Sequence, residues 1–209
     1  MGVFAALGTA LCWAIAARLF RGTGNAFSPL TMNFWKGLIS IAILAVVLVV
    51  VQPTGLSTHA VLWLLLSGLI GIGIGDTCFF KALQSIGDSQ AVLVAETLAP
   101  LFTALFAMAF IGEWITWQQW VGVVVVLFSV DMVIKVRKRS TTHVFATSGY
   151  LYGVGAALCQ AVGAVVSRDI LSAGEIDAAS AAFLRLVGGM IFVVPFIAIT
   201  KTRYMPVIN

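Results

Sequence analysis

A few ionisable or strongly polar side chains interrupt the long apolar stretches of this sequence, and these residues could do chemistry. Glu96 stands in such a stretch, four residues before Pro100. Proline has no N–H to donate to the carbonyl four residues earlier, so the backbone carbonyl of Glu96 would lack its helical partner. The Glu96 carboxylate and this free carbonyl would then lie at one site, at a helix kink. This arrangement suits proton coupling or cation binding in a cavity. The alternative is a structural hydrogen bond from Glu96 to a neighbouring helix.

The other candidates for binding a solute are Trp13, Lys36, Asp76, Gln160 and Arg185. A charge near the bilayer centre costs about 2.5–3.5 kcal/mol on insertion scales, so such a side chain usually faces a cavity or a partner. Lys36 and Arg185 could hold an anionic group or extend to the interface. Asp76 follows a glycine-rich stretch that favours close helix packing, and it could bind solute or lie at the interface. Trp13 and Gln160 could line a cavity or make ordinary helix contacts.

Transmembrane helices are the elements that must position these residues. The 209-residue chain is 61% hydrophobic and 10% charged, whereas soluble domains are about 25% charged. This composition excludes a soluble globular domain, a disordered chain and a nucleic-acid-binding domain. Apolar stretches of about 20 residues can cross a bilayer as helices. We predict an all-α polytopic transmembrane bundle with seven helices, at residues 2–20, 30–51, 60–80, 91–111, 117–134, 150–167 and 178–200.

The beginning of the chain resembles a later part of it. The sequence GTALCWA at residues 8–14 is similar to GAALCQA at 155–161, and Phe34-Trp35-Lys36 is similar to Phe183-Leu184-Arg185. Equivalent helices are five apart, an odd number, so the two copies are predicted to cross the bilayer in opposite directions. Many secondary transporters are built from inverted repeats with the substrate site near the midplane. Because the second copy has two helices, we expect a fragment of a ten-helix protein; the alternative is a natural seven-helix protein.

Three motifs carry a resemblance to a known family. They are GDTCFFKALQ at residues 75–84, PLFTAL at 100–105 and Gly112-Glu113. Together they resemble the EamA-type repeat of the drug/metabolite transporter (DMT) superfamily. Cys12-Trp13-Ala14 is similar to the Trp-Gly start of that repeat, with alanine in place of the usual glycine.

The resemblance implies a domain organisation and a function. A first EamA-like five-helix repeat would occupy residues 1–137, a basic inter-repeat loop 138–148, and the start of a second repeat 149–209. The function implied is secondary transport of a metabolite or drug-like solute by alternating access, often as export, across the plasma or inner membrane. The resemblance is nearly silent about the solute.

Other functions have less support in the sequence. There is no HExxH motif, no Ser/His pair and no phosphate-binding GxxxxGK[ST] loop, which argues against an enzyme and against ATP use. We expect no cofactor and no metal site. The partners expected are the lipid bilayer, a small-molecule solute and a coupling proton or ion, with the oligomeric state left open. A non-transporting membrane scaffold or regulatory protein is the alternative function.

The remaining charges bear on orientation and on local structure. Nine of the twelve Lys and Arg residues lie on the side of the helix 1–2, 3–4 and 5–6 connections and the C-terminus, and only Arg168 lies on the other side. The positive-inside rule therefore places the N-terminus outside, whereas relatives in the resembled family generally have both termini inside. Asp131 and Lys135 are spaced for a helical ion pair, and Glu113 is expected in a loop or cap.

Overall fold

The computed structural model describes residues 2–23, 26–51, 57–112, 114, 116–138, 147–174 and 176–202. Within these ranges the chain forms seven helices and no strand: α1 Gly2–Thr23, α2 Pro29–Val51, α3 Thr58–Ile86, α4 Asp88–Ile111, α5 Trp117–Lys138, α6 Thr147–Ser172 and α7 Ala178–Thr200. Each predicted helix is present. Glu113, the side chains of Asp131 and Lys135, and most of the basic segment 138–148 lie outside the described residues.

Five of these helices, α2, α3, α4, α6 and α7, are long and apolar enough to cross a membrane. Helices α1 and α5 are outside that set, and α5 contributes the shorter apolar stretch Trp117–Ser129. Large apolar side chains of both helices, such as Leu11 and Phe128, are exposed at the protein surface. A helix whose apolar side chains face outward is stable in lipid rather than in water. The structure confirms the predicted polytopic helical bundle.

Helix α3 lies at the centre of the bundle and contacts α2, α6 and α7. Its glycines allow this close packing, as the glycine-rich stretch predicts. A Cβ atom placed on Gly68 would lie 1.8 Å from the backbone oxygen of Arg185, and one on Gly73 would lie 2.8 Å from the Cβ of Phe192. Helix α6 also packs along α4, while α1 packs against α3 and α4 and α5 packs against α4.

The middle of α3, Leu69–Gly75, is wound as a π-helix. Such wide turns leave backbone groups that need other partners. The side-chain amide of Asn33 in α2 donates to the carbonyl oxygens of Ile72 at 2.9 Å and Gly73 at 3.1 Å. The Thr77 hydroxyl also donates to the Gly73 oxygen, at 2.7 Å. Asn33 is 1% exposed, so its amide fixes α2 to the wide turn of α3.

Contacts with α3 show that α2 and α7 run in opposite directions. Along α7, Arg185 packs beside Gly68 and Phe192 beside Gly73, so α7 runs parallel to α3. Just before α2, the backbone oxygen of Phe27 accepts a hydrogen bond from Gln84, while Asn33 within α2 donates to Gly73. Helix α2 is therefore antiparallel to α3 and to α7.

The same reasoning applies to α1 and α6, with α4 as the reference. In α1, Arg21 pairs with Asp88, and Trp13 lies further back along the helix beside Glu96, so α1 is antiparallel to α4. In α6, Tyr150 bonds Gln90 and Gly153 packs on Val94, so α6 is parallel to α4. Both pairs of helices matched by the sequence repeat thus have opposite directions, as inverted copies require.

Candidate functional site

A cavity of about 960 Å³ lies inside the bundle. Every residue predicted to bind solute, together with the predicted kink proline, lines this one cavity: Trp13, Lys36, Asp76, Glu96, Pro100, Gln160 and Arg185. These residues come from α1, α2, α3, α4, α6 and α7. Helix α4 continues through Pro100, and its own wide turn comes later, at Ala107–Ile111. The structure therefore brings together residues that are far apart in the chain.

Lys36 and Asp76 form an ion pair between α2 and α3, in which the Lys36 ammonium donates to Oδ2 of Asp76. Asp76 is 7% exposed, and the Lys36 ammonium also lies 5.8 Å from the ring centre of Phe80. Lys36 and Asp76 therefore contact each other inside the bundle, and their roles in binding solute stay predictions. Helix α3 continues to Ile86 instead of ending near Phe80, so Asp76 lies well inside the helix and offers Lys36 a buried partner.

Glu96 faces the cavity from α4 and lies beside Trp13 of α1. The Trp13 indole stacks on Phe79 with ring centres 5.7 Å apart. One carboxylate oxygen of Glu96, Oε1, is buried and has no hydrogen-bond partner among the described residues. Glu96 therefore lies against a neighbouring helix with one buried acceptor open, and its coupling role stays a prediction.

Arg185 enters the cavity from α7. Its guanidinium lies between α3 and α6, where Cβ atoms placed on Gly71 and Gly163 would be 3.4 Å and 3.2 Å from Nη2. The Nε atom is buried and has no hydrogen-bond partner within the described ranges. Glycine at both positions leaves the space that the guanidinium occupies.

The sequence analysis missed several residues of the cavity, notably Arg168. It was counted only as a charge at the end of a helix, but it lines the cavity from α6 with Gln160 and Ala164. These three residues are spaced four apart, so they lie on one helix face. That spacing is the signal that could have found Arg168. Thr116 and Gln119, at the start of α5, also line the cavity.

The two ends of the cavity differ. At the end where α4 finishes and α5 begins, the lining residues Trp114, Thr116 and Gln119 are exposed. Toward the other end, a buried cluster closes the bundle, with side chains from α2, α3, α4 and α6 that include Phe79, Phe80, Leu83 and Ile86. The cavity is thus open at one end and sealed by apolar packing at the other.

Polar contacts join the helices beyond the sealing cluster. Arg18 and Arg21 of α1 lie 3.5 Å and 3.6 Å from the Asp88 carboxylate at the start of α4. The Tyr150 hydroxyl of α6 donates to the Gln90 side chain of α4. Exposed ion pairs of this kind contribute little to stability, so the apolar cluster is the main seal and the polar contacts set how the helix ends meet.

A charged cavity within a bundle of apolar helices defines the class of the protein: a multi-pass membrane protein with an internal polar site. The model of the EamA-like transporter family matches residues 1–134. The chain therefore belongs to the EamA-like transporter family, whose members are membrane transporters of the DMT type, and the resemblance found in the sequence is confirmed. A search of the curated proteins gives no match.

Proposed function

We propose that this chain transports a small organic metabolite or drug-like solute through the 960 Å³ cavity by alternating access, in the direction of export. One observation carries the proposal: the charged and polar residues converge on a cavity that is open at one end and sealed at the other. A cavity with one open end is the geometry of one of the two states that alternating access requires. Sealing the open end and parting the apolar cluster would produce the other state.

The domain organisation proposed for this function keeps the predicted boundaries. Residues 1–137 form a first repeat, 138–148 an inter-repeat loop and 149–209 the start of a second repeat. The opposite directions of α1 and α6, and of α2 and α7, support it. Transporter repeats related in this way enclose their site near the midplane, and Lys36 and Arg185, equivalent in the two copies, both reach the cavity.

In this proposal, the distribution of Lys and Arg residues determines the orientation of the chain in the membrane. The sealed end is the side to which the sequence assigns nine of the twelve Lys and Arg residues, and among the described residues Arg18, Arg21 and Lys81 lie toward it. The positive-inside rule places that end in the cytoplasm, so the cavity would face outward at the plasma or inner membrane. The expectation that both termini are inside gives the opposite orientation. A reporter fused after Arg139 distinguishes them: activity only when the reporter is cytoplasmic supports the outward-facing arrangement.

Glu96 is proposed to couple transport to a proton or cation, because its carboxylate has a buried oxygen without a partner. The test measures solute flux in liposomes reconstituted with the chain, as a function of pH, for the native chain and for Glu96→Gln. The substitution should flatten the pH profile. Asp169→Asn is the matched control, since Asp169 does not line the cavity. A pH profile that is the same in Glu96→Gln as in the native chain would remove Glu96 from the coupling role.

A scaffold function is less consistent with the site. A scaffold needs helix contacts, and apolar or small side chains supply them at little cost in lipid. Charged groups inside the membrane are costly unless they serve a solute or a partner. Flux of any solute above that of protein-free liposomes distinguishes a transporter from a scaffold.

A further inference from the structure

We propose that a groove on the outside of the bundle binds one phospholipid whose headgroup carries a primary ammonium beside its phosphate. This groove, which we call the lateral groove, has a volume of about 440 Å³ and lies between α3, α4 and α6. The proposal goes beyond the proposed function, since it concerns a lipid that the protein holds rather than the solute that it moves. The lining residues that carry the argument are His59 and Trp63 of α3, Phe110 of α4, and Val166 and Asp169 of α6.

The lateral groove is separate from the central cavity. Among the described residues, none lines both. On α6, Ala164 and Arg168 line the cavity. Val162, Val166 and Asp169 line the groove, and at 100° per residue they lie on the nearly opposite face of the same helix. The charge of Arg168 is therefore on the cavity side, and Asp169 is the acidic group of the groove.

Polar and apolar lining residues lie at different depths of the lateral groove. His59 is the second residue of α3, and Asp169 lies three residues before the end of α6. Both stand at helix ends, on the side where the cavity is open. Val162 lies seven residues before Asp169, which is about 10 Å deeper along α6. The groove is thus polar at the level of the headgroups and apolar below it, in the same order as a phospholipid that stands in one leaflet.

The apolar part of the lateral groove forms a slot for one acyl chain. Val165 and Ile170 are 5% and 4% exposed and form its floor, whereas Trp63 and Phe110 are 43% and 78% exposed and stand at its opening. A slot between three helices gives an acyl chain packing contacts on several sides, whereas a flat helix face gives them on one. The volume lies within the range of about 300–1,000 Å³ that is typical of ligand sites.

The polar end of the lateral groove indicates the headgroup. The Asp169 carboxylate is exposed and forms no ion pair within the described ranges. It attracts an ammonium and repels an anionic headgroup. Trp63 offers an indole face to the same cation, and His59, whose ring centre is 6.2 Å from that of Trp63, can donate an N–H to the phosphate.

A primary ammonium fits this end better than a choline does. A choline can interact with the Trp63 ring, but it has no N–H to donate to the Asp169 carboxylate. An ethanolamine headgroup has both the charge and the donors. Phosphatidylethanolamine is therefore the lipid expected in the lateral groove.

The fold argues against a further helix as the occupant of the lateral groove. In the first copy of the repeat, α3 packs on α7 and α4 packs on α6. By the inverted repeat, the helices expected to complete the second copy would pack in the same way on α2 and α1, and they would leave the groove open. A second copy of this chain is the remaining alternative, and the experiment below detects it by its mass.

The test measures which lipid stays bound to the purified full chain in native mass spectrometry. The chain in mild detergent is mixed with dioleoyl phosphatidylethanolamine, phosphatidylcholine or phosphatidylglycerol, which share their acyl chains and differ in headgroup. One ethanolamine lipid should be retained about threefold more tightly than the choline lipid, because an exposed ion pair contributes little. The anionic glycerol lipid should be retained least.

Two variants assign the bound lipid to the lateral groove. Asp169→Asn should make the retention of the ethanolamine and choline lipids equal, and Val166→Trp should fill the groove and remove the bound lipid. The matched controls are Asp88→Asn, which removes a carboxylate at the sealed end, and Val125→Trp, which adds an indole to an exposed position of α5. Both controls should keep the bound lipid and its preference. Because Asp169 is exposed, its substitution tests the headgroup even where Val166→Trp does not fold.

The outcomes keep the lipid site distinct from the proposed function. Equal retention of the three lipids overturns the proposal, and so does a preference for ethanolamine that persists in Asp169→Asn. A dimer mass without bound lipid would assign the groove to a second copy and would overturn it as well. None of these results bears on solute flux, because the lateral groove shares no described lining residue with the cavity.

Discussion

The contact between α3 and α7 at Gly68 provides the sharpest test of the packing. In Gly68→Ala the added Cβ would lie 1.8 Å from the backbone oxygen of Arg185 and 2.5 Å from its backbone carbon. Ordinary contacts between carbon and oxygen are about 3.3–3.6 Å. Helix α7 must therefore move away by more than 1 Å, and because the clash is with backbone, no side-chain rotation can relieve it.

The expected magnitude follows from two opposing effects. Overpacking of a tight interior costs about 1–3 kcal/mol, and a clash with backbone belongs at the upper end of that range. Replacing a helical glycine by alanine returns about 1 kcal/mol, which leaves a net loss of about 2 kcal/mol for Gly68→Ala. The melting temperature of a chain of this size should then fall by roughly 4–8 °C.

The matched control is Gly155→Ala in α6, because a Cβ there meets nothing within 4 Å. It should raise the melting temperature by roughly 2–4 °C through helix propensity alone. Both variants are purified in detergent, checked for a single species by size exclusion, and melted while tryptophan fluorescence is recorded. Equal shifts for Gly68→Ala and Gly155→Ala would refute the close approach of α3 and α7.

Three further predictions concern the ion pair, the wide turn and the cavity. Lys36→Met leaves Asp76 buried without its partner and should cost about 3–5 kcal/mol in the same melts, whereas the double variant with Asp76→Leu should recover most of that loss; no recovery would contradict a direct pair. Asn33→Ala removes the amide hydrogen bonds to the Ile72 and Gly73 carbonyls of the wide turn and should cost about 1–3 kcal/mol, and an unchanged melting temperature would argue against this contact. In a chain whose native cysteines are serine, Thr103→Cys should react with a membrane-impermeant maleimide added on the open side, and Leu83→Cys should not; labelling of both would mean that the seal is absent.

The helices could be predicted from the sequence because lipid requires long apolar stretches, which are visible without any tertiary information. The candidate residues could be predicted for the same reason: Glu96 and Arg185 are conspicuous as charges in such stretches. The residues that these side chains contact across the bundle could not be predicted in this way. Asp76 was predicted to bind solute or to lie at the interface because it stands near the end of the helix predicted at 60–80, whereas α3 continues to Ile86.

Partners across the bundle depend on contacts that are distant in sequence. The space for Arg185 is formed by Gly71 and Gly163. Nothing in the sequence distinguishes these two glycines from glycines that only allow helices to pack closely. Arg168 could have been found, because it continues the helix face of Gln160. Predicting the close approach of α3 and α7 requires knowing which helices are neighbours, and hydropathy does not contain that information.

The π-helical turn of α3 has a consequence for the direction of Asp76. A π turn carries about one residue more than an α turn, and each residue of an α-helix turns the chain by about 100°. Rewinding Leu69–Gly75 as a regular α-helix would rotate Asp76 and the residues after it by about that angle relative to the first half of α3, and so turn the Asp76 carboxylate away from Lys36. The amide of Asn33, bonded to the carbonyls of this turn, thus helps to keep the Asp76 carboxylate directed toward Lys36.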